Sequence, residues 1–207
     1  MVYGYEPEEL ERMKQTVLDI FDVFAAICEK YEIPYFVQGG TAIGAVRHRG
    51  YIPWDDDIDV GMLRDDYERF LQVAPGELAP TYEIIDGYHD KNCPDYITRI
   101  SKIGTKQVSK EHTKYKVDNL GISMDIFPYD NVPEDKALRK KQVRARDWYN
   151  RLHILWCIPN PDIPGKGLKP MLMKASCFVA HFFIRLFASG DRIGQKHKQA
   201  LMRYHNK

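Results

Sequence analysis

Apolar and polar residues alternate along the chain in two different periods. Between residues 7 and 31, apolar side chains recur at steps of three and four after a proline and a pair of glutamates, which predicts an amphipathic helix. A short apolar strand follows in YFVQGG, and TAIGAVRHRG predicts a short helix that ends at Gly50. From Ile58 onward, DDDIDVGML alternates apolar with polar or small residues, which predicts a second strand.

Helices and strands continue to interleave after this strand. RDDYERFLQVA resumes helical spacing from Arg64, and YEIID, YITRIS and GISMDIFPYD predict three more strands, the last one ending at Pro128. This order of elements predicts an α/β (α+β) fold, with a mixed sheet and flanking helices, over residues 1–133.

The pattern changes after Pro133. DKALRKKQVRARDWYNRL predicts a basic helix, and NPDIPGKGLKP (160–170) predicts a Pro/Gly-rich linker. The apolar run at 171–187 has its charged and polar side chains in one narrow stripe, so it predicts an amphipathic helix. Such a helix either packs on the domain or lies in a membrane surface. We therefore expect a separate, basic and mostly helical region at 134–207.

Charge is distributed unevenly between these two regions. Residues 1–135 carry 14 Lys/Arg and 26 Asp/Glu, whereas residues 136–207 carry 16 Lys/Arg and 3 Asp/Glu. The basic region favours an anionic partner. Its one basic helix has few interleaved aromatic residues, so we expect no nucleic-acid binding. Four widely spaced cysteines and no signal-peptide pattern at the start predict a cytoplasmic protein with reduced thiols.

The aspartates of DDDID are the first candidates for chemistry. Side chains two residues apart on a strand share a face, so Asp57 and Asp59 are expected to project together. Two such carboxylates repel each other unless a cation intervenes, and magnesium favours one or two carboxylates plus substrate phosphates. Asp55 has the same parity but precedes the strand, and Asp56 is expected to point into solvent. The alternative is an exposed acidic loop without a metal.

A glycine pair and a later aspartate make the metal site more specific. Gly39, Gly40 and Thr41 lie between a strand and a helix, where backbone N–H groups and a hydroxyl can bind an anion. A GG[ST] turn followed by an Asp-apolar-Asp strand is typical of the nucleotidyltransferase fold, in which the two acids bind the metal of a nucleotide. That fold uses a third carboxylate from a later strand. Asp125, between apolar neighbours, is the candidate, unless backbone N–H groups satisfy it as a strand-end acid.

The motifs GGTAIGAVRHRGYIPWDDDIDVGM, RDDYERF and MDIFPYD together closely resemble the LicD family of phosphocholine transferases, whose signature also occurs in fukutin-related glycan phosphotransferases. The resemblance implies Mg²⁺-dependent transfer of phosphocholine, or a related phospho-alcohol, from a CDP-linked donor such as CDP-choline. The acceptor would be a sugar hydroxyl of a cell-surface glycan, such as teichoic acid or lipopolysaccharide, or of a lipid-linked glycan. Asp57, Asp59 and Asp125 would hold the metal, with Asp125 alternatively acting as base, and the residues 39–41 would bind the donor phosphates.

Several basic side chains are further candidates for contacts with the phosphates of the donor. Arg47 and His48 lie in the AVRH element, and Arg99 and Lys102 lie in YITRISK, where each could contact phosphate or be a solvated surface charge. Trp54 is expected in the core or as a gate, with stacking on a base or choline as the alternative.

The resemblance also implies a later tyrosine-, glycine- and proline-rich element, which this sequence lacks, so a truncated member, a fragment or a divergent form of the family is expected. Two other functions remain open at this point. One is a nucleotidyltransferase that releases pyrophosphate, and the other is a non-catalytic nucleotide-binding protein at the membrane. With the apolar helix at 171–187, a cytoplasmic protein peripheral to the inner face of the membrane is expected.

Overall fold

The computed structural model describes residues 6–88, 93–106, 121–161 and 163–205. The chain divides into two compact units. The first unit comprises Met1–Ile85 and Ile97–Tyr129, and the second comprises Asp86–Tyr96 and Asp130–Lys207. The segment at 86–96 therefore belongs with the C-terminal region, although its sequence lies inside the range where a single α/β domain was expected.

In the first unit, helices and strands alternate as the hydrophobic pattern predicts. Its described elements are α1 (Pro7–Lys30), β1 (Phe36–Val37), α2 (Gly39–His48), β2 (Asp59–Leu63), α3 (Arg64–Glu77), β3 (Tyr82–Ile85), β4 (Thr98–Lys102) and β5 (Ser123–Tyr129). The start of α1 is fixed by a capping box between Glu6 and Glu9, with Pro7 at the first position, where no N–H is needed. The sequence therefore locates this helix to within one residue.

The five strands form one mixed sheet in the order β1-β2-β5-β4-β3. Strand β2 pairs in parallel with β5, and the other neighbours are antiparallel. A mixed sheet with flanking helices is the predicted α/β (α+β) class, and it is confirmed. Strand β5 runs one residue beyond the predicted end at Pro128, to Tyr129.

One face of this sheet holds the core of the first unit. Val60, Ile126 and Ile100 are fully buried there, together with Phe24 of α1 and Phe70 of α3. Because side chains alternate across a strand, the neighbours of these core residues project from the opposite face. The hydrophobic core therefore fixes which side chains share that opposite face, and the candidate acids are among them.

The second unit is helical. Its described helices are α4 (Lys136–Cys157), α5 (Leu168–Phe187) and α6 (Gly190–Leu201). The predicted linker at 160–170 is shorter than expected, because α5 begins at Leu168, and Pro170 lies in its first turn, where proline is tolerated. The hydrophobic pattern did not predict α6, because this helix buries glycine, histidine and alanine beside only one large aliphatic side chain, Ile193.

Candidate functional site

A row of charged side chains crosses three strands on the face of the sheet opposite the core. Asp59 on β2 is the register partner of Asp125 on β5, and Asp125 is the register partner of Arg99 on β4. Register partners on neighbouring strands are about 5 Å apart, so the three side chains lie side by side. Arg99 Nε lies 3.2 Å from Asp125 Oδ1, and both side chains are largely shielded from solvent. The sheet thus brings together two acids that are 66 residues apart in the chain.

The acidic segment, residues 55–57, precedes β2 and adds three carboxylates. Their oxygens lie within 4.8 Å of one another. Strand β2 begins at Asp59, so Asp57 lies just before the strand and not on it as predicted. The expectation that Asp56 is simply solvated is wrong, because it is half-buried in this cluster.

An excess of negative charge is the main electrostatic property of this cluster. Desolvation, with the nearby carboxylates of Asp59, Asp55, Asp56 and Asp125, raises the pKa of Asp57 to about 7. Desolvation and Asp55 also raise the pKa of Asp56 and of Asp59. A divalent cation would relieve this repulsion. The donor set consists of hard carboxylate oxygens, which is the ligand type that magnesium prefers. The residues present therefore fit a magnesium site.

The two glycines make close contact with these acids. Gly39 has φ +55°, and a Cβ there would lie 3.2 Å from Asp59 Oδ2. A Cβ on Gly40 would lie 2.4 Å from Asp55 Oδ2, a distance that side chains do not tolerate. Gly39 and Gly40 are the first residues of α2 and not a turn before it, so the N-terminal N–H groups of the helix lie beside the carboxylates.

Thr41 links the start of α2 to the start of β2. Its Oγ1 accepts a hydrogen bond from the Asp59 backbone N–H at 2.9 Å, and the Gln38 N–H donates to the Asp59 carbonyl at 3.1 Å. The hydroxyl oxygen of Thr41 therefore serves the backbone. The O–H of Thr41 can still donate one hydrogen bond, and a phosphate oxygen could accept it.

Lys14 on α1 is a residue of this site that the sequence analysis did not identify. The residue is 6% exposed, and its Nζ donates to the Pro53 carbonyl at 2.8 Å and lies 5.6 Å from the centre of the Tyr51 ring. The Tyr51 hydroxyl donates back to the Lys14 carbonyl at 3.2 Å. These contacts fasten the segment that leads into Asp55. The sequence offered one indication of this role: Lys14 is a charged residue between Met13 and Val17 on the otherwise apolar face of α1.

The remaining candidates lie elsewhere on the first unit. Arg47 and His48 are exposed in the last turn of α2, about 10 Å along the helix from Gly40. Lys102 is three residues from Arg99 on β4, so it projects from the opposite face and is not brought to the carboxylates. Trp54 is 54% exposed, which excludes the expected core position.

A family model described as LicD/FKTN/FKRP, nucleotidyltransferase domain, matches residues 32–151. The chain belongs to this family. The matched range begins after α1, and it includes the glycines, the acidic segment, Arg99 and Asp125.

Individual relatives match over shorter or longer stretches. The lipopolysaccharide cholinephosphotransferase LicD of Haemophilus influenzae is 40% identical over 151 residues, which are 71% of this chain and 56% of the relative. An uncharacterized protein of Rickettsia typhi is 48% identical over 46 residues, 22% of this chain and 15% of the relative. The human ribitol 5-phosphate transferase FKRP is 40% identical over 51 residues, 25% of this chain and 10% of the relative. The chain thus spans little more than half the length of the Haemophilus influenzae relative.

Proposed function

We propose that this protein transfers phosphocholine, or a related phospho-alcohol, from a CDP-linked donor to a sugar hydroxyl of a cell-surface glycan. The observation that carries this proposal is the pairing of Asp59 with Asp125 across β2 and β5, beside the acidic segment and the first turn of α2. Family membership and the printed activity of the Haemophilus influenzae relative support this choice of chemistry.

In this proposal, different residues of the chain bind the metal, bind the phosphates and position the acids. Asp57 and Asp59 hold magnesium, which when bound neutralises charge on the donor phosphates, and Asp125 beside Asp59 acts as the base. The N–H groups at the start of α2 and the Thr41 hydroxyl bind phosphate oxygens. Arg99 holds the Asp125 carboxylate in position through their ion pair. Since this pair is mostly buried, its geometry is kept by the sheet.

The transfer itself is an in-line displacement at the phosphorus that bears the alcohol. A bond forms between the acceptor hydroxyl oxygen and this phosphorus, and the bond from phosphorus to the CMP oxygen breaks. The hydroxyl proton passes to Asp125, and CMP leaves with the bonding electrons. Fixed orientation of the donor and acceptor supplies a large part of the rate.

The product distinguishes this reaction from the nucleotidyltransferase alternative. The purified chain is incubated with Mg²⁺, CDP-choline and either lipopolysaccharide or teichoic acid, and in parallel with CTP and phosphocholine. Acceptor-dependent CMP release is expected from the first mixture, and pyrophosphate from the second would indicate the alternative. Folded protein that binds the nucleotide but yields neither product would contradict transfer and favour a binding role.

Substitution of Asp59 tests whether the reaction takes place at this site. We expect Asp59→Asn to lower the rate of CMP release roughly 10²- to 10³-fold, because a charged ligand of the metal is lost. Asp22→Asn is the matched control, since Asp22 is exposed on α1, outside the site. Equal rates for the two variants would contradict the assignment of Asp59.

A further inference from the structure

Helix α5 carries a continuous apolar surface that is exposed along its whole length. The members of this α5 apolar face are all exposed in the structure: Leu168, Met171, Leu172, Ala175, Phe178, Val179, Phe182, Phe183 and Leu186. Among the helices of the described residues, α5 alone is long and apolar enough to cross a membrane, and none of its residues is buried. Exposed apolar surface of this extent marks an interaction site.

The arrangement of this face around the helix is that of a surface-binding helix. At 100° per residue, the α5 apolar face covers an arc of about 140° and contains no charged side chain. Lys174 and Arg185 lie along one edge of the arc, and Lys169 lies near the other edge. Apolar residues flanked by lysine and arginine are typical of helices that lie in a lipid interface.

The opposite side of α5 is held by the end of α4. His181 Nδ1 lies 2.6 Å from the Leu155 carbonyl oxygen, and the Arg185 guanidinium lies 4.6 Å from the centre of the Trp156 ring. Cys177 and Ile184, on this same side, are half-buried. These contacts orient the helix within the second unit, with the α5 apolar face turned away from α4.

Charge identifies the occupant of this face. Residues 136–207 carry 16 Lys/Arg and 3 Asp/Glu, and α5 itself has no acidic residue. A second copy of the chain would bring two strongly basic surfaces together, which is unfavourable. An anionic bilayer satisfies both properties, because its acyl boundary takes the apolar side chains and its headgroups attract the lysines and arginines.

We propose that α5 lies in the plane of an anionic membrane surface, with the α5 apolar face inserted at the headgroup–acyl boundary. A spanning orientation would place Lys174 and His181 in the hydrocarbon and would separate His181 from the Leu155 carbonyl. In the surface orientation, Lys174 extends from the edge of the face to the headgroups, while Arg185 keeps its contact with Trp156. This proposal stands on the second unit alone and does not depend on the proposed transfer reaction.

Flotation of the full chain with vesicles tests the proposal. We expect recovery with phosphatidylcholine–phosphatidylglycerol vesicles, much weaker recovery with pure phosphatidylcholine, and a decrease when ionic strength rises from about 0.1 to about 0.5 M. In the double variant Phe182→Asp/Leu186→Asp, the fraction of protein bound to vesicles should fall about tenfold or more. The matched control Gln195→Asp/Gln199→Asp adds the same charge at exposed positions of α6 and should retain most binding.

Three results would overturn the proposal, provided circular dichroism shows all variants folded. The first is an absence of binding to any vesicle. The second is a dimer in light scattering that the Phe182→Asp/Leu186→Asp variant alone dissolves, which would assign the face to a second copy. The third is a membrane-bound fraction in cells that resists alkaline carbonate extraction, which would indicate that α5 spans the bilayer.

Discussion

In the first unit, aliphatic and aromatic side chains fill one face of the sheet and the carboxylates project from the other, whereas the second unit exposes the apolar face of α5 and packs its helices around buried histidine and glutamine side chains. His153, Gln142 and His197 are at most 5% exposed, while Phe182 on α5 is 64% exposed. In the first unit, strand periodicity assigns charges to a face. In the second, a buried polar group depends on a particular partner, such as the Leu201 carbonyl for Gln142.

This contrast indicates where each unit tolerates change. The acids of the first unit are held by backbone geometry and by close approach of α2, so small steric changes should affect function strongly. The second unit is held by individual hydrogen bonds and ring stacking. Substitutions there should therefore change the free energy of unfolding and its dependence on pH. The following predictions proceed from the largest expected effect to the smallest.

The first prediction concerns the contact between Gly40 and Asp55. A methyl group in Gly40→Ala would lie 2.4 Å from Asp55 Oδ2, so either the carboxylate or α2 must shift. A displacement of α2 by about 1 Å would cost about 10²-fold in the rate of CMP release, whereas rotation of the Asp55 carboxylate alone would cost less, so we expect a loss of up to about 10²-fold. Gly50→Ala is the control, because nothing lies within 4 Å of its added Cβ. If Gly40→Ala retained full activity, the approach of α2 to the acids would have no functional importance.

The second prediction concerns Lys14. Lys14→Met keeps the length of the side chain but removes the charged hydrogen bond to the Pro53 carbonyl. We expect the free energy of unfolding to fall by about 1–3 kcal/mol in urea denaturation, together with weaker stabilisation by Mg²⁺. Arg12→Met, on the exposed face of α1, should change stability little. Unchanged Mg²⁺ stabilisation in Lys14→Met would show that the lysine supports the fold but does not position the acids.

The third prediction concerns the pH dependence of the second unit. Burial lowers the pKa of His153, opposed by its hydrogen bond to the Cys93 carbonyl and by Asp95. Its ring also stacks on Tyr96. Because the unfolded state then binds more protons, the free energy of unfolding should fall as the pH drops below about 6.5, by at most about 1.4 kcal/mol per pH unit from this group.

The variant His153→Phe isolates this contribution. It keeps an aromatic ring beside Tyr96 but removes the titrating group, so its unfolding free energy should depend less steeply on pH between about 7.5 and 5.5 than that of the wild type. All other residues are the same in the two proteins, so the difference between their pH slopes reports the substitution at His153. Identical pH slopes would mean that His153 keeps an ordinary proton affinity in the folded chain.

The pattern of residues predicted much of the first unit and less of the second. Helix α1 and the five strands followed from apolar spacing, since α1 and most of the strands bury side chains at regular steps. Helix α6 did not, because it packs through glycine, alanine and a histidine that bonds Tyr88. The membership of residues 86–96 in the second unit was also unpredictable, since it rests on contacts between side chains far apart in sequence, such as His153 with the Cys93 carbonyl.

By itself, the sequence determined which acids and glycines were available and, through strand periodicity, that Asp59 and Asp125 project away from the core. The roles predicted for these residues remain to be tested by the substitutions above. The tertiary structure decided what lies beside the acids and the segment that leads into them: Asp125 next to Asp59 and Arg99, Gly40 against Asp55, and Lys14 against Pro53. Local spacing fixes the direction of a side chain, but strand register and helix packing fix its neighbours, and those depend on contacts across the whole unit.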